Sequence, residues 1–246
     1  MKKILILFLL LIAINAQGQG LPVAANATLA SLFPDASLRE RVARILGEDA
    51  NLTGQALSDR LAKVRELYAH WGPFAGWKKI NNTNGIEYLI GLSRLNLSSN
   101  DLMDINLTNL IYLTELYLNG NQLTQIDLTS LKSLRIVELV GNRLIQLDLS
   151  NQLLVYYLDV SGNPLTDLDL TMLVSLSSLN VGYTLLTSLD ISNNPILHLW
   201  VWDSPLERYV DFSEGRSEFH SHTIKLREGL KHTIIGLRDD IRLNKP

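Results

Sequence analysis

The sequence predicts an α/β solenoid, a stack of short coils whose strands form a parallel β-sheet on the concave face. A helical cap is expected ahead of the stack and a short β cap behind it. Three observations carry this. Leucine supplies 51 of the 246 residues, a bias that belongs to membrane bundles, coiled coils or leucine-based repeats. Aligned against itself at a shift of 21, the chain shows one pattern six times, opened by Leu92, Leu113, Leu134, Val155, Leu176 and Leu197. On either side of that region the apolar period changes, to a helical one before it and an alternating one after it.

Composition closes several other classes. Cysteine is absent and the formal charge is only −3. Disulfide frameworks, thiolate metal sites and catalytic thiols are therefore excluded. No basic run or aromatic-interleaved basic patch occurs, so no nucleic-acid partner is expected.

Lys2 and Lys3 precede an unbroken apolar run from Ile4 to Ile14, and small or polar residues follow as far as Gly20. This order of charge, apolar run and small residues is that of a signal peptide, expected over residues 1–18 with cleavage after Ala16 or Gly18. The run is short for a membrane span. Its removal takes away two lysines and moves the net charge from −3 to −5. No later segment is long and apolar enough to cross a bilayer, so no stable membrane insertion is expected after cleavage. The chain is expected to be exported, whether secreted, periplasmic or at the cell surface.

Residues 19–32 read as a flexible N-terminal segment, and residues 33–85 as a helical N-terminal cap. Ser37-Leu-Arg-Glu40 has the spacing of a capping box, and Leu38, Val42, Ile45 and Leu46 form one helical stripe that stops at Gly47. A second stripe, Leu57, Leu61, Val64, Tyr68 and Trp71, ends at Gly72-Pro73. A stack of like coils leaves an apolar surface at each end, and such helices would cover the first.

The repeats are expected over residues 86–212. Three residues after each opening position come Leu95, Leu116, Val137, Leu158, Leu179 and Trp200, and two further on Leu97, Leu118, Leu139, Val160, Val181 and Trp202. This spacing is a short strand with one buried face. Asn100, Asn121, Asn142 and Asn163 follow, each with a leucine two places later. Such asparagines suit a turn leaving the strand, where the amide bonds backbone groups of neighbouring coils. Trp200 and Trp202 are read as core residues plugging the last coil, although exposed tryptophans can also serve as sugar platforms.

The second half of each copy carries Asn106, Asp127, Asp148, Asp169, Asp190 and Asp211, with Thr or Ser two places later. Stacked carboxylates could hold calcium. The preferred reading is that each accepts hydrogen bonds from the Ser/Thr that follows, because calcium needs six or more oxygens and this motif supplies few. No metal is expected there.

L-x-x-L-x-L-x-x-N-x-L resembles the leucine-rich repeat family, and the L-D-L-[ST] second half resembles its short bacterial type. That resemblance implies a convex side that is extended rather than α-helical. Phe33-Pro-Asp-Ala-Ser-Leu-Arg39 and Asn84-Gly-Ile-Glu-Tyr-Leu89 are similar to the cap and lead-in of internalin-like bacterial surface proteins. The chain departs from well-known members in repeat length, and no immunoglobulin-like module or wall anchor is read after the repeats, so host-receptor binding is not implied. Residues 213–246 are expected to form a C-terminal cap, with a β-hairpin from Thr223 to Arg238 turning at Glu228-Gly229.

No nucleophile elbow, zinc-protease motif, phosphate loop or dinucleotide fingerprint is present. His220 and His222 lack a third ligand in view, and Glu138 with Asp159 would stand on an open, wet sheet where little raises a carboxylate pKa. Neither an enzyme nor a cofactor is expected. What varies from copy to copy is the outward face of the strands, where Arg94, Asn96, Glu115, Tyr117, Ile136, Glu138, Val140, Tyr157, Asp159 and Asn180 gather. Aromatic residues ringed by charge suit a protein partner of unknown identity. Tyrosines beside Asp, Glu and Asn also suit a glycan or cell-wall polymer.

Overall fold

The computed structural model describes residues 19–72, 78–186, 188–190 and 193–194, and four later strands at 198–203, 208–211, 223–225 and 233–234. The expected signal segment, His220, His222 and the Glu228-Gly229 turn lie outside the described residues. Among the described residues there are two sheets. One has eight strands in the order β1 (Glu66–Tyr68), β2 (Arg94–Asn96), β3 (Glu115–Tyr117), β4 (Ile136–Glu138), β5 (Tyr157–Asp159), β6 (Ser178–Asn180), β8 (His198–Asp203) and β9 (Arg208–Asp211). The other joins β7 (Ser188–Asp190), β10 (Thr223–Lys225) and β11 (Thr233–Ile234) in antiparallel pairs.

From β2 to β6 every neighbour is parallel, and each register partner stands 21 residues on: Leu95, Leu116, Val137, Leu158 and Leu179 form one row. All five are fully buried. Between these strands the chain makes turns and no α-helix, so the convex side is extended. The rows continue around each coil, with Leu102, Leu123, Leu144 and Leu165 and then Leu107, Leu128, Leu149 and Leu170 closing one continuous apolar core.

Asparagine ties the coils together. Asn142 is 5% exposed; its Nδ2 donates to the carbonyls of Leu118 at 2.9 Å and Leu139 at 3.0 Å, and its Oδ1 accepts from the N–H of Leu123 at 3.1 Å. Asn121 and Asn163 repeat these bonds one coil away. Asn100 makes them to Ala69, Leu97 and Ile80, which stitches the cap onto the first repeat. Each amide thus pairs an N–H that would otherwise be buried without a partner, and the Leu118 and Leu139 carbonyls are each shared by two successive asparagines. Two further buried amides stand where other copies carry leucine: Gln152 donates to the Leu128 carbonyl at 2.7 Å, and Asn194 to the Leu173 carbonyl at 2.8 Å.

The N-terminal cap departs from expectation in three ways. Helix α2 (Ala36–Leu46), which follows the short α1 (Leu29–Leu32), is capped by Asp35 rather than by Ser37. The Asp35 carboxylate accepts from the N–H groups of Ser37 and Leu38 at 2.8 and 2.9 Å, and its other oxygen accepts from Asn81. Helix α3 (Gly54–Leu61) stops well before Trp71. Tyr68, expected on a helical stripe, lies instead in β1, which pairs with β2 and buries Leu67 and Ala69 with period two. Residues 19–32, expected to be flexible, are anchored along α3: the Gly20 N–H donates to Asp59 at 2.7 Å, the Ser58 hydroxyl to the Leu21 carbonyl at 2.6 Å, and the Gly54 N–H to the Ala27 carbonyl at 2.8 Å.

At the far end the spacing slips by one. Leu199, not Trp200, is the register partner of Leu179, and Trp200 pairs with Asn180. The core register expected for Trp200 and Trp202 is therefore not the one adopted. The β9 strand then runs antiparallel to β8 and ends the parallel stack.

The asparagine ladder predicts a specific cost. Asn142→Ala leaves the Leu123 N–H without its partner and takes one of two amide donors from each of the Leu118 and Leu139 carbonyls, which keep Asn121 and Asn163. It should lower unfolding free energy by about 1–3 kcal/mol, whereas exposed Gln146→Ala should change it by less than about 0.5 kcal/mol. Urea unfolding followed by circular dichroism measures both.

Candidate functional site

Because successive side chains of a strand face opposite sides, burying the leucine row forces its neighbours outward. The parallel register then stacks them in columns. One column runs Glu66, Arg94, Glu115, Ile136, Tyr157 and Ser178, and the next runs Tyr68, Asn96, Tyr117, Glu138, Asp159 and Asn180. Past the strands, half-buried Asn119 and Val140 continue the face, while Ser161 one coil on is buried. All ten residues singled out in the sequence fall on this one surface. Arg94 is exposed and the other nine are half-buried.

The polar members are held by one another and by backbone. Arg94 Nε donates to Glu115 Oε1 at 2.8 Å, and its Nη1 reaches Glu66 at 3.4 Å. The Tyr117 hydroxyl donates to Glu115 Oε2 at 3.0 Å. Asn119, in the column just past the strands, bridges two coils: its Nδ2 donates to Glu138 at 2.6 Å and its Oδ1 accepts from the Val140 N–H at 2.9 Å. Asp159 accepts from the Ser161 N–H and hydroxyl at 3.0 and 2.6 Å and from Asn180 Nδ2 at 3.0 Å. Asn96 and Asn180 each accept from a backbone N–H two residues on, at 3.0 Å.

Burial, with Glu115 and Glu138 nearby, pushes the Tyr117 hydroxyl up to about 12. Burial first, then Asp159 and Glu138, raises that of Tyr157. Both phenols therefore stay neutral at physiological pH, as amphipathic rings set in an anionic field. Leu153, Leu154 and Tyr156 stand exposed on the turn entering β5, beside Tyr157. They carry no repeat signal, because those turn positions change identity from coil to coil.

On the convex side the aspartates form turn caps. Asp127 accepts from the Thr129 N–H at 2.9 Å and its hydroxyl at 2.6 Å; Asp148 accepts from Ser150 N–H at 2.9 Å and Asp169 from Thr171 N–H at 2.8 Å. These bonds hold all three carboxylates below the ordinary aspartate range. Among the described residues no group of three His, Asp or Glu is placed to hold a metal ion. No helix of the described residues is long and apolar enough to cross a membrane.

A carboxylate favoured as the anion in the folded state adds stability above its unfolded pKa of about 3.9 and loses it as pH falls through the lower folded value. Asparagine keeps the capping oxygen without the charge. The triple variant Asp127→Asn, Asp148→Asn, Asp169→Asn should therefore lose less stability than the parent between about pH 7 and pH 3. Urea midpoints across that range measure it. Melting of the parent in calcium and in chelator should coincide, since an ion bound to the folded state raises its stability.

A leucine-rich repeat family model matches residues 112–134. Among curated protein sequences none matches the chain. Solved structures from Listeria monocytogenes are similar to it. The functional domain of InlJ, which includes a cysteine ladder, is 28% identical with a TM-score of 0.59, over 71% of this chain and 42% of that one. The internalin InlF is 29% identical with a TM-score of 0.53, over 73% and 58%. Internalin C2 is 25% identical with a TM-score of 0.52, over 76% and 94%. The chain thus spans about half the length of the first two. The register, the matched repeat and these likenesses agree on the architecture: this protein has the leucine-rich repeat fold, a parallel-strand solenoid behind N-terminal helices.

Proposed function

We propose that the chain is an exported, non-enzymatic binding module that recognises another protein through the concave sheet of its solenoid. One observation carries this reading. The inward row is leucine or valine at every strand from β2 to β6, while the outward columns change at each step and place Tyr117, Ile136 and Tyr157 among Glu115, Glu138 and Asp159. A surface freed from folding constraints and rich in aromatic side chains is what recognition of a protein needs. Likeness to internalin structures supports a bacterial surface or secreted setting, and the Lys2-Lys3 and Ile4 to Ile14 segment supports export.

A glycan is the weaker reading. Asn119 and Asp159 are fixed in orientation by bonds within the protein, and the apolar area of Tyr117, Ile136 and Tyr157 between the charges suits a protein better than a sugar.

Tyr117 and Tyr157 lie in adjacent columns two strands apart, roughly 10 Å, so one partner can cover both with Ile136 and Glu138 between them. Once a partner is captured from surface extracts, Tyr117→Ala with Tyr157→Ala should weaken its binding by about 2 kcal/mol or more and change folding stability little. Leu118→Ala, fully buried and next to Tyr117, should do the reverse and cost about 2–5 kcal/mol of stability. Calorimetry of binding and of unfolding measures the two effects. Full-affinity binding by the tyrosine pair variant would overturn the reading.

A further inference from the structure

Charge on the concave face is not balanced from within. Glu115 has its cation, Arg94, at 2.8 Å. Glu138 and Asp159 do not: among the described residues the ion pairs join Arg44 to Glu40, Arg60 to Asp49, Lys79 to Asp101, and Arg94 to Glu66 and Glu115. The donors that hold Glu138 and Asp159 are an asparagine amide or a serine, and all are neutral. The two carboxylates are register partners on β4 and β5, so their backbones stand roughly 4.8 Å apart. They form a doubled negative charge on a half-buried sheet face.

The surroundings say what would meet that charge. Tyr117 precedes Glu138 in the same column, and Tyr157 lies two residues before Asp159 on the same strand. The field of Glu138 reaches both rings and that of Asp159 reaches Tyr157, each disfavouring ionisation of the phenol. Two monodentate carboxylates supply too few oxygens for calcium. A guanidinium, by contrast, forms paired bonds to carboxylates and stacks on tyrosine, while its aliphatic stem packs on apolar side chains such as the half-buried Ile136. We propose that the occupant of this face is a basic segment of the partner protein, whose arginine side chains seat on Glu138 and Asp159 between Tyr117 and Tyr157. This rests on the concave-face reading and adds the chemistry of the partner to it.

The test uses a fluorescein-labelled octapeptide of alternating arginine and glycine, with a glutamine–glycine peptide as reference, titrated into the mature chain and followed by anisotropy. The arginine peptide should bind and the reference should not. Glu138→Gln with Asp159→Asn should weaken binding by at least about fivefold, while Asp127→Asn with Asp148→Asn, which removes the same charge from the convex side, should change it by less than about twofold. Thermal melts of both variants report that each is folded. Equal effects of the two pairs would reduce the attraction to net charge and overturn the proposal, as would equal binding of the two peptides. If the basic site fails in this way while Tyr117→Ala with Tyr157→Ala still abolishes binding of a captured partner, the concave-face reading stands and only the basic occupant is refuted.

Discussion

No coil of this protein can satisfy its own backbone. Each is a single short strand and a run of turns, with apolar side chains on its inner edge and unpaired amides and carbonyls on both flanks. The asparagine that leaves each strand resolves this by accepting from one neighbour and donating to its own coil and to the neighbour's. That bridge fixes where the chain must turn. It also sets the parallel register, which in turn determines which side chains face out. Even the cap obeys it, since Asn100 bonds Ala69 and Ile80.

For the proposed recognition, the consequence is stiffness. A binding surface made of loops pays to become ordered, whereas here each outward side chain rises from a strand held on both sides and its polar groups are already engaged. Tyr117 donates to Glu115, Asn119 clamps Glu138, and Ser161 and Asn180 hold Asp159. What the proposed partner would meet is aromatic area and the uncompensated charge of two carboxylates. The convex face offers aspartates as well, but there each is spent as a turn cap.

The stack and its outward columns were legible because period and identity coincide: a 21-residue shift superposes leucine on leucine, and alternation within a strand assigns the faces. Where a pattern served two periods, reading failed. Val64 and Tyr68 fit a helical stripe begun at Leu57, yet Glu66-Leu67-Tyr68 repeats Glu115-Leu116-Tyr117 letter for letter and becomes β1. That identity was the available signal. Gln152 and Asn194 broke the leucine pattern and gave no sign that they would be buried, because their bonds go to carbonyls a coil or more away. The anchoring of residues 19–32 depends on Gln55, Ser58 and Asp59, some 35 to 39 positions distant, with no periodicity to announce it. The slip at Leu199 comes where the asparagine has already been lost, at Thr184, whose hydroxyl bonds its own coil's Val181 carbonyl at 2.8 Å. Without the bridge, nothing enforces the spacing.

That the bridge governs the stack is tested most directly by amide hydrogen exchange at Leu102, Leu123 and Leu144, whose N–H groups donate to Asn121, Asn142 and Asn163 at 3.1, 3.1 and 3.0 Å. These three amides should exchange only with global opening of the solenoid, at one shared and slow rate, matching the most protected amides of the strands. Exchange at the rate of exposed turn amides, or at three unrelated rates, would contradict it.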